Sequence, residues 1–376
     1  MKIAFDAKRM LNNPTGLGNH ARILVNALMR DFPQNEYLLF SPKVQDKFRS
    51  ELHGKYELHL PASAVSRVIH PWWRSYGITG DLLRNMVDVY HGLSNELPLN
   101  IHCSGIRSVV TIHDLIFLKH TEQYPWIDRQ TYTLKTKYAA THAHKIIAVS
   151  DETKQELMES YQVPEQKITV IYQSIDTRFS QPQTSESKQQ FKTKNKLPEK
   201  YILNVSSFFP RKNQLKLIEA FDLIKDQTSH HLVLAGTSGD TLEEIKKAIA
   251  DKNLGSRIHI RENISNSDMP ILYQCAGLFV FPSLFEGFGM PVLEALVSGI
   301  PVIATRGGAI GEAAGADSVP VDPNSAQDIA DKMLSLLKDK TLQDKMIAAG
   351  YKHAVAMTDI AFATKTMDVY KEVIAQ

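Results

Sequence analysis

Short apolar runs alternate along the chain with longer stretches in which apolar residues return at helical spacing. The runs are rich in Val, Ile, Leu and Phe, as buried strands are. The predicted strands are 2–6, 37–40, 87–90, 107–112, 145–149, 168–171, 201–205, 231–235, 257–261, 278–281, 302–304 and 318–321. Strands that alternate with helices form parallel sheets covered by helices. The pattern therefore predicts an α/β protein with two doubly wound sheets.

A polar stretch, 180–199, interrupts this alternation; it is rich in Gln, Ser and Lys and poor in apolar residues. At 376 residues the chain is longer than one hydrophobic core usually serves, so two domains are expected. We predict that 180–199 is the linker region between an N-terminal domain, 1–179, and a C-terminal domain, 200–358. The last segment, 359–376, has a helical pattern.

The most informative stretch is FVFPSLFEGFGMPVLEAL, residues 279–296. Its strand ends at Pro282, and the loop Glu286–Met290 contains two glycines. Pro291 fits the first position of a helix, where its missing N–H costs nothing, and Gly299 fits the end of that helix. The sequence thus predicts a strand, a glycine-containing loop and a helix N-terminus.

This corner has the chemistry of a phosphate site with an acid on each side. A helix N-terminus presents unpaired N–H groups and the positive end of a dipole. Glu286 lies in the loop, and Glu294 lies near the start of the helix. A ligand with phosphates in its middle and hydroxyls at both ends, such as a nucleotide-sugar, suits this arrangement. Read separately, Glu294 could answer the helix dipole and Glu286 could be a solvated loop acid.

A second glycine motif, G-x-G-x-x-A, spans Gly16 to Ala21. It resembles a dinucleotide fingerprint, but its glycines do not follow the first strand by a tight turn, and no acid closes the strand 37–40. We expect Gly16 and Gly18 to allow close approach of a ligand; a plain helix-entry turn is the alternative.

Two further candidates lie at strand ends. His113 directly follows the strand 107–112, at the edge where open α/β sheets bind ligands. Arg211 and Lys212 lie between the strand 201–205 and the next helix, where two cations could neutralise a leaving diphosphate. A turn histidine and solvated surface cations are the alternatives.

Composition narrows the class of protein. The chain is 43% hydrophobic and 22% charged, and its net charge of +2 gives no reason to expect nucleic acid as a partner. The start, MKIAFDAKRM, lacks a signal peptide's apolar region, and no apolar run approaches the ~18 residues of a membrane helix. Cys103 and Cys275 form neither a disulfide framework nor a metal cluster. A cytoplasmic protein is expected.

The segment RVIHPWWR, 67–74, places two tryptophans among basic residues. Such a patch could lie on a membrane interface or hold an acceptor. A loop packed under the first domain explains it equally well.

The spacing of Glu286 and Glu294 resembles the E-x7-E signature of retaining glycosyltransferases with two Rossmann-like domains, the GT-B fold. The phrase VVTIHDL around His113 resembles that family's HD motif, and the whole chain resembles family GT4. Two departures are Val205-Ser206 where many relatives have Gly-Arg, and Gln173 to Asp176 where they have an N-G-V-D-like turn.

The resemblance implies two Rossmann-like doubly wound domains facing a cleft, with a C-terminal helix, 359–376, that returns to the first domain. It implies catalytic roles for His113, Glu286 and Lys212. The implied donor-binding residues are Gly16, Gly18, Arg211, Lys212, Ile264, Glu286, Gly287, Phe288, Gly289, Met290, Pro291, Val292, Leu293 and Glu294. In such a site His113 faces the donor sugar, and the segment around Ile264 lines the nucleobase pocket.

The implied function is retaining transfer of a hexose, with mannose favoured, from a nucleotide-diphosphate sugar to a glycan or lipid-linked acceptor in surface polysaccharide biosynthesis. No D-x-D motif occurs in the sequence, so we expect neither a metal nor a cofactor. Peripheral contact with the inner membrane surface is a further expectation. The alternatives are a nucleotide-sugar epimerase of the same fold, a glycosidase that uses the two glutamates as its pair, and a non-catalytic two-domain sugar-binding protein.

Overall fold

The computed structural model describes residues 1–61, 70–237, 239–262 and 264–376. Contacts divide the chain into two compact units. Unit 1 is residues 1–174 together with 357–376, and unit 2 is residues 175–356. The chain therefore passes from one unit to the other at residue 175, ahead of the predicted linker region 180–199.

Unit 1 contains a parallel sheet. Among its described residues the strands are β1 Lys2–Asp6, β2 Glu36–Phe40, β3 Glu57–His59, β4 Val89–Gly92, β5 Arg107–Ile112, β6 Lys145–Ala148 and β7 Ile168–Val170. Their order is β3-β2-β1-β4-β5-β6-β7. The order reverses between β1 and β4, which pair directly, Ile3 with Val89. Such a reversal opens a crevice at the carboxyl ends of the two strands.

Unit 2 repeats this plan within its described residues. Its strands are β8 Tyr201–Val205, β9 His231–Gly236, β10 Ile258–Glu262, β11 Leu278–Phe281, β12 Val302–Thr305 and β13 Val319–Val321. The order is β10-β9-β8-β11-β12-β13, and the pairings are parallel. The order reverses between β8 and β11. The loops that carry Arg211-Lys212 and Glu286 follow those two strands, so the topology brings them to one crevice.

The helices cover both sheets. In unit 1 they are Lys8–Asn12, Gly16–Asp31, Asp46–Arg49, His70–Trp72, Ile78–Arg84, Ile116–Lys119, Trp126–His142, Asp151–Tyr161 and Asp359–Ala375. In unit 2 they are Ser185–Lys194, Gln214–Ile224, Leu242–Asp251, Met269–Gln274, Met290–Val297, Gly308–Ala314, Ala326–Lys338 and Lys340–Val355. None of the helices in the described ranges is long and apolar enough to cross a membrane.

The C-terminal helix, Asp359–Ala375, packs on unit 1. Its apolar face, with Phe362, Met367 and Val373, is buried in the same core as β1 and the helix Gly16–Asp31. The Tyr370 hydroxyl lies 2.6 Å from Nδ1 of His91, a residue of β4. Burial of that aromatic and aliphatic surface, with a satisfied hydroxyl, stabilises the helix against the sheet.

The predicted linker region contains a helix, Ser185–Lys194, which is part of unit 2. Its N-cap is Thr184, whose side chain accepts a hydrogen bond from the Ser187 N–H, and Phe191 is buried. One well-placed aromatic side chain and a cap suffice to order a helix on a neighbouring surface, even in a polar sequence.

The segment 67–74 is divided. Its first three residues lie outside the described ranges. Trp73 is buried, and its indole N–H donates to Asp81 at 2.7 Å, whereas Trp72 is 47% exposed. Arg74 forms an ion pair with Asp6 across 2.5 Å. The alternative of a packed loop therefore describes Trp73 and Arg74 better than a membrane patch does.

Candidate functional site

The predicted corner is present in unit 2. β11 ends before Pro282, and the helix Met290–Val297 begins after the loop. Gly289 caps this helix with a φ of 120°, a conformation that strains any residue with a Cβ. The N–H groups of Gly289 and Met290 lie at the start of the helix, whereas Pro291 has no N–H and the Val292 N–H donates to the Gly289 carbonyl at 2.9 Å. Leu293 and Val292 are completely buried, so their side chains anchor the helix and only backbone can serve a ligand.

Glu286 lies between two cations. Arg211 Nη1 donates to Glu286 Oε2 at 2.6 Å, and Lys212 Nζ pairs with Glu286 Oε1. Ser283 donates to the same Oε1 at 2.7 Å. Burial opposes ionisation of this carboxyl, but the charges of Lys212 and Arg211 and the hydrogen bonds outweigh it and lower the pKa of Glu286 to about 2. Glu286 is thus a fixed carboxylate.

Hydrogen bonds between the loops after β8 and β11 hold the two cations in place. The Arg211 carbonyl accepts the Leu284 N–H at 2.8 Å and the Ser283 hydroxyl at 3.0 Å, which ties the loop after β8 to the loop after β11. Lys212 is largely buried, with its ammonium 5.5 Å from the centroid of the Phe281 ring. A buried, oriented ammonium group costs little reorganisation when charge develops nearby.

Glu294 has the opposite surroundings. Its Oε2 accepts the Tyr273 hydroxyl at 2.8 Å. Burial raises the pKa of Glu294 to about 7, the charge of Asp176 adds to that rise, and the bond from Tyr273 and the charge of Arg178 oppose it. Glu294 is therefore poised between its neutral and ionised forms near neutral pH.

The remaining predicted residues of unit 2 surround this corner. Gly287 and the buried Phe288 belong to the loop itself. Ile264 follows β10 and is half-buried, and its neighbour Asn263 lies outside the described residues. The segment after β10 and the loops after β8 and β11 are all at carboxyl ends of parallel strands, so they face the same edge of the sheet.

In unit 1, His113 follows β5 and is buried. Its backbone N–H donates to Asn95 Oδ1 at 2.8 Å, and its ring Nε2 lies 2.9 Å from the Leu93 carbonyl, so Nε2 carries the proton. Burial lowers the pKa of His113 to about 4, against the influence of that hydrogen bond. The imidazole is neutral at pH 7, so its Nδ1 can accept a hydrogen bond from a ligand hydroxyl, but the ring cannot supply a positive charge.

The two glycines of the first motif differ in their surroundings. A Cβ on Gly18 would lie 1.9 Å from the Asn13 carbonyl oxygen, so the close approach at this position is made by the chain's own backbone. A Cβ on Gly16 would meet nothing within 4 Å. Gly16 is the first residue of the helix Gly16–Asp31, and it alone of the pair leaves open space in front of that helix.

Sequence reasoning missed several side chains that hold the site. Ser283 and Tyr273 bond the two glutamates, and Asp176 and Arg178 influence Glu294. In unit 1, His20 packs edge-on against His113, with ring centroids 4.6 Å apart. Ser283 could have been suspected because it lies three residues before Glu286. Asp176 ends the segment at the place of the N-G-V-D-like turn, but that pattern does not indicate a contact with Glu294. No local pattern marks Tyr273, Arg178 or His20.

Among the described residues, no three His, Cys, Asp or Glu side chains are grouped as ligands for a metal ion. The acids of the corner have other partners, Glu286 with two cations and Glu294 with a phenol.

Comparison with family models identifies the fold's relatives. The model for "Glycosyltransferase Family 4" matches residues 14–179, and the model for "Glycosyl transferases group 1" matches residues 185–353. The chain is a GT4-type glycosyltransferase. The predicted class of enzyme is thereby confirmed.

Curated relatives of this glycosyltransferase include O-antigen chain mannosyltransferase B of Escherichia coli. It is 26% identical over 99% of this chain and 100% of that protein. The serotype-specific mannosyltransferase WbdA of Escherichia coli is 28% identical over 73% of this chain, which corresponds to only 34% of that longer protein. These relatives do not favour an epimerase or a non-catalytic binding protein.

Solved structures confirm the GT-B fold of this glycosyltransferase. HepE of Anabaena, determined in complex with UDP and glucose, superimposes with a TM-score of 0.77 at 16% identity, covering 99% of this chain and 100% of that one. A sucrose-phosphate synthase from Thermosynechococcus elongatus gives a TM-score of 0.78 at 18% identity, covering 100% and 99% of the two chains. The alternation of strands and helices predicts two doubly wound sheets, and the resemblance to family GT4 implies two Rossmann-like domains; both predictions are confirmed.

Proposed function

We propose that this glycosyltransferase transfers a hexosyl residue, mannose first among the candidates, from a nucleoside-diphosphate sugar to a glycan or lipid-linked acceptor in surface polysaccharide biosynthesis. One observation carries the proposal: at a single sheet crevice, two oriented cations hold a fixed carboxylate, Glu286, in the loop before a helix N-terminus, and that helix carries a second acid, Glu294. The mannosyltransferase relatives support the choice of sugar.

The chemistry assigns a role to each group. Glu294 receives the ribose hydroxyls, and Glu286 receives hydroxyls of the transferred sugar. Lys212, Arg211 and the N–H groups of Gly289 and Met290 hold the diphosphate, with Ile264 beside the base. As the anomeric C–O bond to phosphate breaks, the charge that develops on the diphosphate is stabilised by these groups, which replace the metal ion of other transferases.

The acceptor hydroxyl attacks the anomeric carbon from the face that the diphosphate leaves, so configuration is retained. Its proton passes to an oxygen of the leaving diphosphate, and no residue forms a covalent intermediate. His113, neutral and hydrogen-bonded through Nε2, is assigned to a hydroxyl of the donor sugar, and Gly16 to close approach of the donor.

The test is a screen of nucleoside-diphosphate sugars by thermal shift, followed by product analysis. A ligand that binds the folded state raises the melting temperature by mass action. We expect a nucleoside-diphosphate mannose to give the largest shift, and transfer to a saccharide acceptor to yield an α-linked product from an α-linked donor. Release of free hexose would show a hydrolase, and interconversion of the nucleotide-sugar itself would show an epimerase; either result contradicts the proposal.

We also propose that unit 1 contacts the inner membrane surface where a lipid-linked acceptor resides. The helix Trp126–His142 supports this, because Trp126 is 68%, Ile127 71% and Leu134 68% exposed. Exposed apolar side chains on a helix that also carries Lys137 are suited to an anionic lipid interface.

Sedimentation with vesicles of phosphatidylglycerol and phosphatidylethanolamine tests that contact. The protein is expected to sediment with the vesicles, and Trp126→Ser with Ile127→Ser is expected to abolish this while leaving nucleotide binding unchanged. The matched control is Leu223→Ser, an exposed leucine of unit 2. Equal sedimentation of all three proteins would contradict membrane contact through this helix.

A further inference from the structure

The short helix Met269–Gln274 contributes one side chain to the corner. Tyr273 is completely buried, and its ring packs against Phe179, at 5.5 Å between centroids, and Phe279, at 5.3 Å. Its hydroxyl donates to Glu294 Oε2 at 2.8 Å. The ring is thus fixed by aromatic neighbours, and the O–H is aimed at one carboxylate oxygen.

This bond constrains what Glu294 can do. A carboxylate accepts hydrogen bonds on both oxygens when ionised, but a protonated carboxyl donates one and accepts fewer. A 1,2-diol offers two O–H donors. It therefore binds best to the ionised carboxylate, and only when the carboxylate group is held in one rotational orientation. A donor already in place on Oε2 favours that form and sets that rotation.

We propose that Tyr273 is a positioning residue, whose hydroxyl holds the Glu294 carboxylate in the orientation and ionised state that receive the ribose diol. The inference rests on the role proposed above for Glu294. It adds to that role a second residue, from a different helix, that determines how strongly the nucleotide is held and over what pH range.

The groups around Glu294 make the contribution of the Tyr273 hydroxyl to its ionisation measurable. Burial and Asp176 favour the protonated form, and the Tyr273 hydroxyl and Arg178 favour the ionised form, with the pKa of Glu294 at about 7. Arg178 is shared, since its Nη2 donates to Asp176 Oδ2 at 2.6 Å. Loss of the Tyr273 hydroxyl therefore removes a principal influence that keeps Glu294 ionised. Nucleotide affinity is then expected to fall most at pH values near and below 7, where protonation of Glu294 competes with binding of the diol.

The experiment titrates UDP and GDP into the wild-type chain and three variants by calorimetry, from pH 6 to pH 9. The variants are Tyr273→Phe, Glu294→Ala and the matched control Tyr201→Phe. Tyr201 is also a completely buried tyrosine of unit 2, and its hydroxyl donates to the Leu272 carbonyl at 2.6 Å. Each variant is first checked for an unchanged circular dichroism spectrum.

We expect Tyr273→Phe to weaken the better of the two nucleotides roughly 3- to 10-fold at pH 7, the range of one lost hydrogen bond. The deficit shrinks towards pH 9, because Glu294 is then ionised in both proteins, and the midpoint of the pH profile moves to higher pH. Tyr201→Phe keeps the wild-type profile. The 2′,3′-dideoxy nucleoside diphosphate, which has no diol, binds wild type and Tyr273→Phe equally.

A second variant covers the case in which Tyr273→Phe does not fold. Replacement of Tyr273 by 3-fluorotyrosine keeps the ring in place and strengthens the phenol as a donor, so the midpoint moves to lower pH. An unchanged midpoint in both substitutions, or a loss that is independent of pH and equal for the dideoxy ligand, overturns the inference.

Glu294→Ala and Tyr273→Phe test the ribose role of Glu294 and the positioning role of Tyr273 separately. If Glu294→Ala binds nucleotide as wild type does, the ribose role itself is wrong. If Glu294→Ala is weak while Tyr273→Phe matches Tyr201→Phe at every pH, the role of Glu294 stands and only the positioning role of Tyr273 is wrong.

Discussion

The loop end and the helix end of the corner hold the same residue type in opposite states. Glu286, at the loop end, lies between Arg211 and Lys212, and its pKa is about 2; Glu294, at the helix end, faces a phenol and the charge of Asp176, and its pKa is about 7. Both carboxyls are removed from bulk water, so burial does not distinguish them. The number of cations within reach does.

The difference matches two tasks. A carboxylate that never loses its charge can accept hydroxyls of a sugar at any physiological pH while it keeps two cations in place. A carboxyl that titrates near neutrality binds a diol only when it has released its proton, so its ligand affinity responds to pH. The four predictions that follow test whether the two ends are as different as their surroundings indicate.

The largest effect is expected from removing the ammonium group at the loop end. Lys212→Met takes one partner from Glu286 and one positive group from the leaving diphosphate. Removing a preorganised charge of this kind typically lowers kcat about 10²- to 10³-fold. Steady-state kinetics with donor and acceptor measure it. The matched control, Lys216→Met, removes a surface lysine paired with Glu219, and a comparable loss in that control would point to a general defect.

The next largest effect is a difference between the two glutamates in how their loss changes affinity for the nucleoside diphosphate. Glu294→Ala is expected to weaken the nucleoside diphosphate roughly 10- to 150-fold, because a hydrogen bond to a charged group contributes about 1.5–3 kcal/mol. Glu286→Ala is expected to leave that affinity nearly unchanged while it lowers turnover and discrimination among donor sugars. Calorimetric titration of both variants decides this; equal affinities would mean that the two roles are wrongly assigned.

A smaller effect concerns stability without ligand. The folded-state pKa of Glu294 is raised from 4.5 to about 7, so the folded chain holds a proton that the unfolded chain has lost, and the contribution to stability falls as pH rises through that window. For Glu286 the folded-state pKa is lowered from 4.5 to about 2, so its contribution is present above pH 4.5 and is lost as pH falls towards 2.

Urea unfolding of Glu294→Gln and Glu286→Gln at pH 5 and pH 8 measures these opposite signs. Relative to wild type, Glu294→Gln should be more stable at pH 8 than at pH 5. Glu286→Gln should be destabilised at both values, since its wild-type carboxylate is ionised at both. If the unfolding free energies of both variants, relative to wild type, changed with pH in the same direction, Glu286 and Glu294 would not differ in charge state as described.

The smallest expected effect is that of a chelator. Because the sequence has no D-x-D motif and two cations lie beside the helix N-terminus, turnover in EDTA should equal turnover without it. Activity assays with EDTA, followed by Mg²⁺ or Mn²⁺, test this. A loss that either ion restores would show that Arg211 and Lys212 do not suffice.

Much of this architecture could be predicted from the sequence. The alternation of apolar runs with helical spacing predicts parallel doubly wound sheets, and the structure has them. The corner from Leu278 to Leu296 was predicted as strand, loop and helix because Pro282, Pro291 and the glycines act locally. Proline and glycine act on the backbone next to them, so their effects can be predicted from the sequence alone.

Other features depend on contacts between distant residues and could not be predicted. Nothing around Tyr273 indicates that its hydroxyl reaches Glu294. The opposite pKa values of the two glutamates arise only after folding, because burial raises the pKa of Glu294 while Lys212 and Arg211 lower that of Glu286. The helix in the predicted linker region was missed for a similar reason, since one buried Phe191 outweighs a polar composition. The Asn13 carbonyl beside Gly18 is another contact that no local pattern indicates, and close approach of a ligand to Gly18 stays a prediction.

The C-terminal helix has a consequence for how the chain is made. Unit 1 consists of residues 1–174 and 357–376, so the ribosome synthesises all of unit 2 before Tyr370 exists to meet His91. At about 5–20 residues per second, that interval lasts roughly 10 to 40 s. Throughout it, the nascent sheet of unit 1 presents an uncovered apolar surface around β1 and the helix Gly16–Asp31. All of unit 2 is therefore synthesised before unit 1 has every residue of its core, and unit 1 can become native only after the helix Asp359–Ala375 has left the exit tunnel.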